Sequence, residues 1–554
     1  MIPLTIQILF LFLAVMPPVR QLMRDAAVPA YDPLPLPADQ PSRTQLFNDT
    51  MLARNRRTLV DAYLKVGQRD PKWDGPMIAF LDGIALTMSH QKNEPDSQTL
   101  LDQADQLLAL GCTDPMLLYG RAFCLIGVRR SAEAKTALRS VLVTFEAKPV
   151  YPYSQMVWVP MGIAKLHFNH EGTRNAEMDR LCDLTVQWLA ESILQGESLP
   201  EEERVVLYLV FSNLNEWEGW GYPPSRLWLE LYRKTEGAGE ACRWMRNIIL
   251  SDYHEATAWN ARGTDYADKV SEEGWKIFGE NNRKAGKLLM EAHAMHPEYP
   301  DAARRLIEVS MAGGTSDGKP PRYWFDQAVK ADFEDIRPYE RLGNALLPRW
   351  GGSLAEMLAF GRECLDTERY DTQVPAFYWS ILLQIVAEPV DPAKLFRAPG
   401  VYDGCKKLFE HHLDTGDAKA DKWKLQYLYA AYWAGDKEMA AKLARELGIK
   451  LPKMLKDSSS LLAVPLERLA KELELDMATF VPGVAPANPL VKTRFEISAP
   501  EATNVYLTGT FNRWKEQTIP MVKNSQGMWR VTLNLQPYFY AYQFIVDGQK
   551  RMDP

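Results

Sequence analysis

Residues 480–498 read FVPGVAPANPLVKTRFEIS, and the texture of the chain changes inside them. Residues 481–490 form a Pro/Gly/Ala linker. Beyond it Val491, Thr493, Phe495 and Ile497 alternate with Lys492, Arg494 and Glu496. That period of two is the pattern of a half-buried strand. Short strands separated by turn signals follow in NVYLTGTF, MWRVTLNL and YAYQFIVD, so residues 491–554 read as a small all-β domain. It holds eight Lys and Arg against five Asp and Glu, a net charge of +3, which leaves −10 for the rest of the chain.

Upstream, from about residue 43 to 480, the period is that of helix. Leu100, Leu101, Ala104, Leu107 and Leu108 fall on one helical face. The helices come in pairs with short breaks. From Asp114 to Leu142 two apolar helices flank a turn at Arg129 to Ser131. From Lys422 to Leu447 the plan repeats, with Gly435-Asp436 as the turn and Gly448 as a C-cap. Small residues at Gly120, Ala122, Ala430 and Ala431 let paired helices approach. Both units resemble tetratricopeptide repeats, without a strict repeat period. The fold class expected is mostly α, stacked helical hairpins as a solenoid or bundle, followed by the β domain.

A segment from about Gly239 to Cys364 resembles a bacterial domain family of unknown function. Its mark is the string Pro348-Arg349-Trp350-Gly351-Gly352-Ser353. Physically the string is a helix stop, a Gly-Gly turn and an N-cap Ser353. Trp350 is expected to pack the turn with Arg349 at its rim, and a binding role for the two is the alternative. The segments expected are 43–238, repeat-like and helical; 239–390, the domain of unknown function; 391–480, helical hairpins; and 491–554, the β domain.

The 554 residues are 46% hydrophobic and 24% charged, ordinary for a globular chain. A net charge of −7 gives no field favouring nucleic acid. Six widely spaced cysteines lack any C-x-x-C, so they read as buried inert thiols. Residues 1–24 hold a short apolar run, residues 4–16, broken by Pro17-Pro18 and followed by Arg20 and Arg24. The run is too short for a standard membrane span and suits a signal-peptide core. Export or membrane anchoring is one reading; a cytoplasmic protein with an unusual leader is the other. Residues 25–42 are a Pro-rich linker.

The string Val505-Tyr506-Leu507-Thr508-Gly509-Thr510-Phe511-Asn512-Arg513-Trp514, then Trp529, Tyr542-Gln543-Phe544-Ile545-Val546-Asp547-Gly548 and Asp553-Pro554, carries a second resemblance. It resembles the glycogen-binding module of AMP-activated protein kinase beta subunits and the related family 48 carbohydrate-binding modules. The resemblance covers nearly all of residues 491–554. It implies an early-set, immunoglobulin-like sandwich whose ligands are α-1,4-linked glucans. An exposed indole is a flat partner for the C–H face of a sugar, and the Phe511-Asn512 turn is expected to hold Trp514 outward. Trp529 is expected in the core with Val531 and Leu533, and Tyr506, Phe511 and Phe544 join it by alternation. The chain departs from its relatives in several places. Lys550 stands where a second stacking Trp is common, and Gln543 where a Lys is common. Tyr538, beside Phe539 and Tyr540, stands where a Gly usually opens the last hairpin. Trp514, Gln543 and Lys550 are the candidate sugar contacts. A sandwich kept for packing or partner docking is the alternative.

Other signals carry little chemistry. Residues 313–319 have phosphate-loop spacing, but Pro320 replaces the metal-binding hydroxyl and the flanks are not strand and helix. His254-Glu255 lacks a second zinc-binding His, and His411-His412 point to different helix faces, so neither a metal nor a cofactor is expected. Glu201-Glu202-Glu203 read as a solvated acidic first turn. Two functional readings follow. One is a non-catalytic interaction protein with a helical scaffold that offers a protein-binding surface and a terminal α-glucan module. The other is a glycan-active enzyme, which requires two carboxylates facing across a cleft; Asp265, Asp326 and Asp335 are carboxylates to test for that role.

Overall fold

A computed structural model describes residues 43–554 except 92, 171, 264–266, 389, 416–418, 459, 478–479, 481–490, 536–539 and 553–554, and except the side chains of 43, 44, 170, 241 and 268. The leader, both linkers, Asp265, Tyr538, Phe539 and Asp553-Pro554 lie outside the described residues. The structure is 67% helical and ends in a β-sandwich. It divides into two compact units, one up to Tyr378 and one from Trp379 onward.

In the first unit consecutive helices pack in chain order, and local chemistry sets their ends. The Asp114 carboxylate accepts from Met116 N at 2.8 Å and opens the Pro115–Gly127 helix; the Ser131–Ala147 helix returns after the expected turn. Gly120 permits close approach there: a Cβ would meet the Phe80 ring at 2.8 Å. The Pro348–Trp350 turn ends at Gly351, whose φ of 93° is left-handed and open to glycine without strain. The Ser353 hydroxyl accepts from Glu356 N at 3.2 Å and caps the Leu354–Asp366 helix. Helix lengths run from 4 to 24 residues, so the stacking has no fixed period.

The acidic stretch at 201–203 departs from the expectation. Glu202 is buried; it pairs with Arg57 and accepts from Leu199 N at 3.0 Å. Burial pushes the Glu203 carboxyl up to about 7. Glu202 turns inward because Arg57, in the π-helical turn Arg57–Asp61, pairs with it, while Glu201 stays exposed. One turn earlier Arg54 is fully buried, and no hydrogen-bond partner reaches its guanidinium nitrogens among the described residues. Burial lowers it to about 10, against the pull of Glu202.

A buried charge network joins distant helices of this unit. Asp301 pairs with Arg204 at 3.0 Å and Arg304 at 3.3 Å; Arg304 also reaches Asp335 at 2.9 Å. Burial pushes Asp301 up, but these guanidinium groups and Arg305 outweigh it and hold the carboxyl low. Arg305 pairs with Asp252 at 3.0 Å, and Arg341 with Glu308 at 2.5 Å. Glu255 lies among them with one carboxyl oxygen unpartnered. Burial, reinforced by the charge of Asp252, pushes it up to about 8.

In the second unit the Ala420–Ala434 helix ends at Gly435, and Asp436 caps Lys437–Leu447. The sandwich follows, with β1 (Val491–Ser498), β2 (Val505–Gly509), β3 (Val522–Lys523), β4 (Met528–Leu535), β5 (Tyr542–Val546) and β6 (Gln549–Arg551). Two antiparallel sheets, β1-β4-β3 and β2-β5-β6, enclose Phe495, Ile497, Val505, Leu507, Trp529, Phe544 and Val546. Trp529 is core, as expected: it is 8% exposed and its Nε1 donates to Ala499 O at 2.9 Å. Phe511 packs against this core from its edge. Tyr506 does not. It pairs with Ile545, one register step from Leu507, and so points to the opposite face.

The thiols match the expectation. Five cysteines are buried and Cys242 is half-buried; all are free, and burial pushes Cys124 and Cys182 up to about 12. No described helix is long and apolar enough to cross a membrane.

Candidate functional site

The outer face of the β2-β5-β6 sheet is set by its register. Thr508 pairs with Gln543, Tyr506 with Ile545, and Ile545 with Lys550, so these five side chains share one face. Asp547 and Gly548, with φ of 46° and 83°, form the two-residue hairpin that turns β5 into β6. The Asp547 carboxylate accepts from Thr503 N at 3.0 Å and Asn504 N at 2.8 Å, fixing that turn to the entry of β2.

The segment after β2 presents Trp514. Its core is Asn512. The Asn512 Oδ1 accepts from Gly509 N at 2.9 Å and from the Thr508 hydroxyl at 3.2 Å. Its Nδ2 donates to Lys515 O and to Thr518 Oγ1, each at 2.9 Å. This knot holds two successive residues, Arg513 and Trp514, in the left-handed region at φ 56° and 57°. Such a backbone costs an L-residue about 1–2 kcal/mol. Trp514 N donates to Gly509 O at 2.9 Å, which returns part of that cost. Trp514 is 45% exposed.

The structure links the three candidate contacts through residues that sequence reasoning missed. Lys550 is 64% exposed and its Nζ lies 3.0 Å from Glu516, two residues after Trp514. Gln543 lies opposite Thr508, which bonds to Asn512. Glu516 and Asn512 are thus the connectors. Asn512 stands inside the quoted string, so its position was visible but its four bonds were not. The Lys550 ammonium, paired in register with Ile545, carries three donors on this face.

Arg349 and Trp350 are in the first unit. Trp350 packs edge-on against Trp259, with ring centroids 5.5 Å apart, so a helix far off in sequence joins the turn. Of the nominated carboxylates, Asp335 caps Ile336–Ala345 and pairs with Arg304 and Arg337, and Asp326 pairs with Arg322 at 2.8 Å. A cavity of about 620 Å³ in the second unit is lined by Trp379, Tyr429 and Met454, with Asp457 the one carboxylate among the described residues of its lining.

Residues 491–554 match the family described as the glycogen recognition site of AMP-activated protein kinase. Over 63 residues the chain is 40% identical to the 1,4-alpha-glucan branching enzyme GlgB of Bacillus caldolyticus, which is 11% of this chain and 10% of that protein. Over 65 residues it is 38% identical to Protein PTST homolog 2, chloroplastic, of Arabidopsis thaliana, which is 12% of each. The matches therefore span about a tenth of the length of these curated relatives. The segment that raises Trp514 on the Asn512 knot is the segment that matches a glycogen-recognition family.

Proposed function

We propose that the terminal module holds this chain on α-1,4-glucan, with Trp514 as the stacking platform and Gln543 and Lys550 as donors at its border. The helical units then serve as a non-catalytic scaffold and protein-binding surface. The observation that carries the sugar reading is the exposed indole on a strained, fully bonded turn, inside a segment that matches a glycogen-recognition family. One aromatic stack with a few hydrogen bonds gives weak binding, about 0.1–1 mM, or roughly 4–5.5 kcal/mol. Affinity electrophoresis through gels containing glycogen or amylose tests it. The wild-type chain should be retarded, and Trp514→Ala should lose most of that retardation while keeping its circular dichroism spectrum. A wild-type chain that runs freely through every α-glucan refutes the sugar reading and leaves the sandwich a docking module.

A further inference from the structure

The first unit carries a second surface aromatic group. Trp259 and Arg262 stand in the last turn of the Arg243–Arg262 helix, Trp275 in the first turn of Glu272–Met295, and Trp350 in the 348–350 turn. Three rings from three segments surround one guanidinium. Arg262 Cζ lies 4.8 Å from the Trp350 centroid, 5.6 Å from Trp275 and 5.8 Å from Trp259. Below them Phe278 is buried and meets Trp259 and Trp275 edge-on, at 5.1 and 5.6 Å. Phe278 seals the helix contact, and Trp275 above it remains 38% exposed.

Trp275 thus keeps part of its indole in water beside an aromatic frame. The surroundings fit a neutral polyol. The Arg262 stack fixes the aromatic frame in advance. Arg349 is exposed at the rim, and Arg262 is held below its ordinary basicity by burial and by the nearby Arg349. Glu272, exposed and three residues before Trp275, lies on the same side of its helix. A flat apolar ring bordered by both donors and acceptors is the arrangement that takes a sugar: its C–H face on the indole, its hydroxyls on the rim.

We infer that this cluster is a second α-glucan contact, with Trp275 as its platform and Trp350, Arg262 and Arg349 as its frame. The choice of glucan as occupant rests on the proposed function of the terminal module. Two weak contacts on one chain give retention that neither gives alone, because the second binds at the effective concentration set by the first.

The test is affinity electrophoresis on glycogen with the full chain as wild type, Trp275→Ala, Trp514→Ala and the double variant. Each single change should weaken retention by about threefold or more, and the double variant should run freely. Trp275→Tyr should restore most of the loss, since it keeps a ring without the indole. Circular dichroism checks that the fold is kept. If Trp275→Ala is retained like wild type while Trp514→Ala is released, the second contact is refuted and the terminal reading stands. If Trp275→Ala is released while Trp514→Ala is retained like wild type, the terminal platform fails and the helical one stands. Free migration of the wild type sinks both and leaves the cluster as a packing or protein-contact surface.

Discussion

Replacing Glu255 by Gln should flatten the stability of the first unit across neutral and alkaline pH. In the folded chain this carboxyl is pushed from an ordinary 4.5 up to about 8 by burial and by Asp252, with Glu308 adding to the rise and Arg341 and Arg305 opposing it. The unfolded chain carries the ordinary value. Between the two, the folded state holds a proton that the unfolded state has released. The contribution to stability is therefore complete below about pH 4.5 and is lost as pH rises through 8. Each pH unit in that window is about 1.4 kcal/mol, so wild type should lose about 2–3 kcal/mol from this group between pH 6 and pH 9. Gln has the same shape and no proton to lose. Asp252 lies close enough to feel the Glu255 charge, so the difference between the two proteins reports the titration of the pair. Urea unfolding followed at 222 nm, at each pH from 6 to 9, gives the measurement. Wild type should fall relative to Glu255→Gln as pH rises. Parallel curves, agreeing within about 0.5 kcal/mol across the range, would refute the assignment of a neutral Glu255.

Three further changes probe other parts of the structure. Asn512→Ala removes four hydrogen bonds and should cost the module about 2–4 kcal/mol and weaken glycogen retention as Trp514→Ala does; hydrogen exchange across residues 505–509 and 542–546 should speed up, and unchanged exchange counts against the knot. Trp529→Ala should cost about 3–5 kcal/mol and open the sandwich to exchange, whereas Trp514→Ala should leave that exchange unchanged. Arg54→Met should raise the unfolding free energy by about 1–3 kcal/mol, since it removes a buried guanidinium without hydrogen-bond partners while Arg57 still pairs with Glu202; a lower unfolding free energy would show that Glu202 needs both charges.

Much of the fold was legible because local rules set it. Asp114, Gly435-Asp436 and Ser353 mark helix ends by their own chemistry, and the period-2 pattern at 491–497 marks β1. The direction of Tyr506 was not legible. Val505, Tyr506 and Leu507 are three apolar residues in a row, so alternation gives two faces without saying which is inside; only pairing with Ile545 decides it. Glu202 faced inward because Arg57, remote in sequence, meets it. Trp514 could be read from its turn. The Glu516–Lys550 link and the grouping of Trp259, Trp275 and Trp350 join positions far apart in sequence, and a single chain read in order carries no signal for such meetings.

The Asn512 knot has a kinetic consequence. Because the turn under Trp514 is bonded before any sugar arrives, binding does not wait on loop ordering and spends little entropy on it. Encounter at about 10⁶ M⁻¹s⁻¹ with a dissociation constant of about 0.1–1 mM gives departure at about 10²–10³ s⁻¹, a dwell of about 1–10 ms. A platform that grips and releases this quickly does not anchor a protein to one glucan branch. It lets the chain move from branch to branch, so that its residence on a particle grows with the crowding of glucan ends around it rather than with the strength of any one stack.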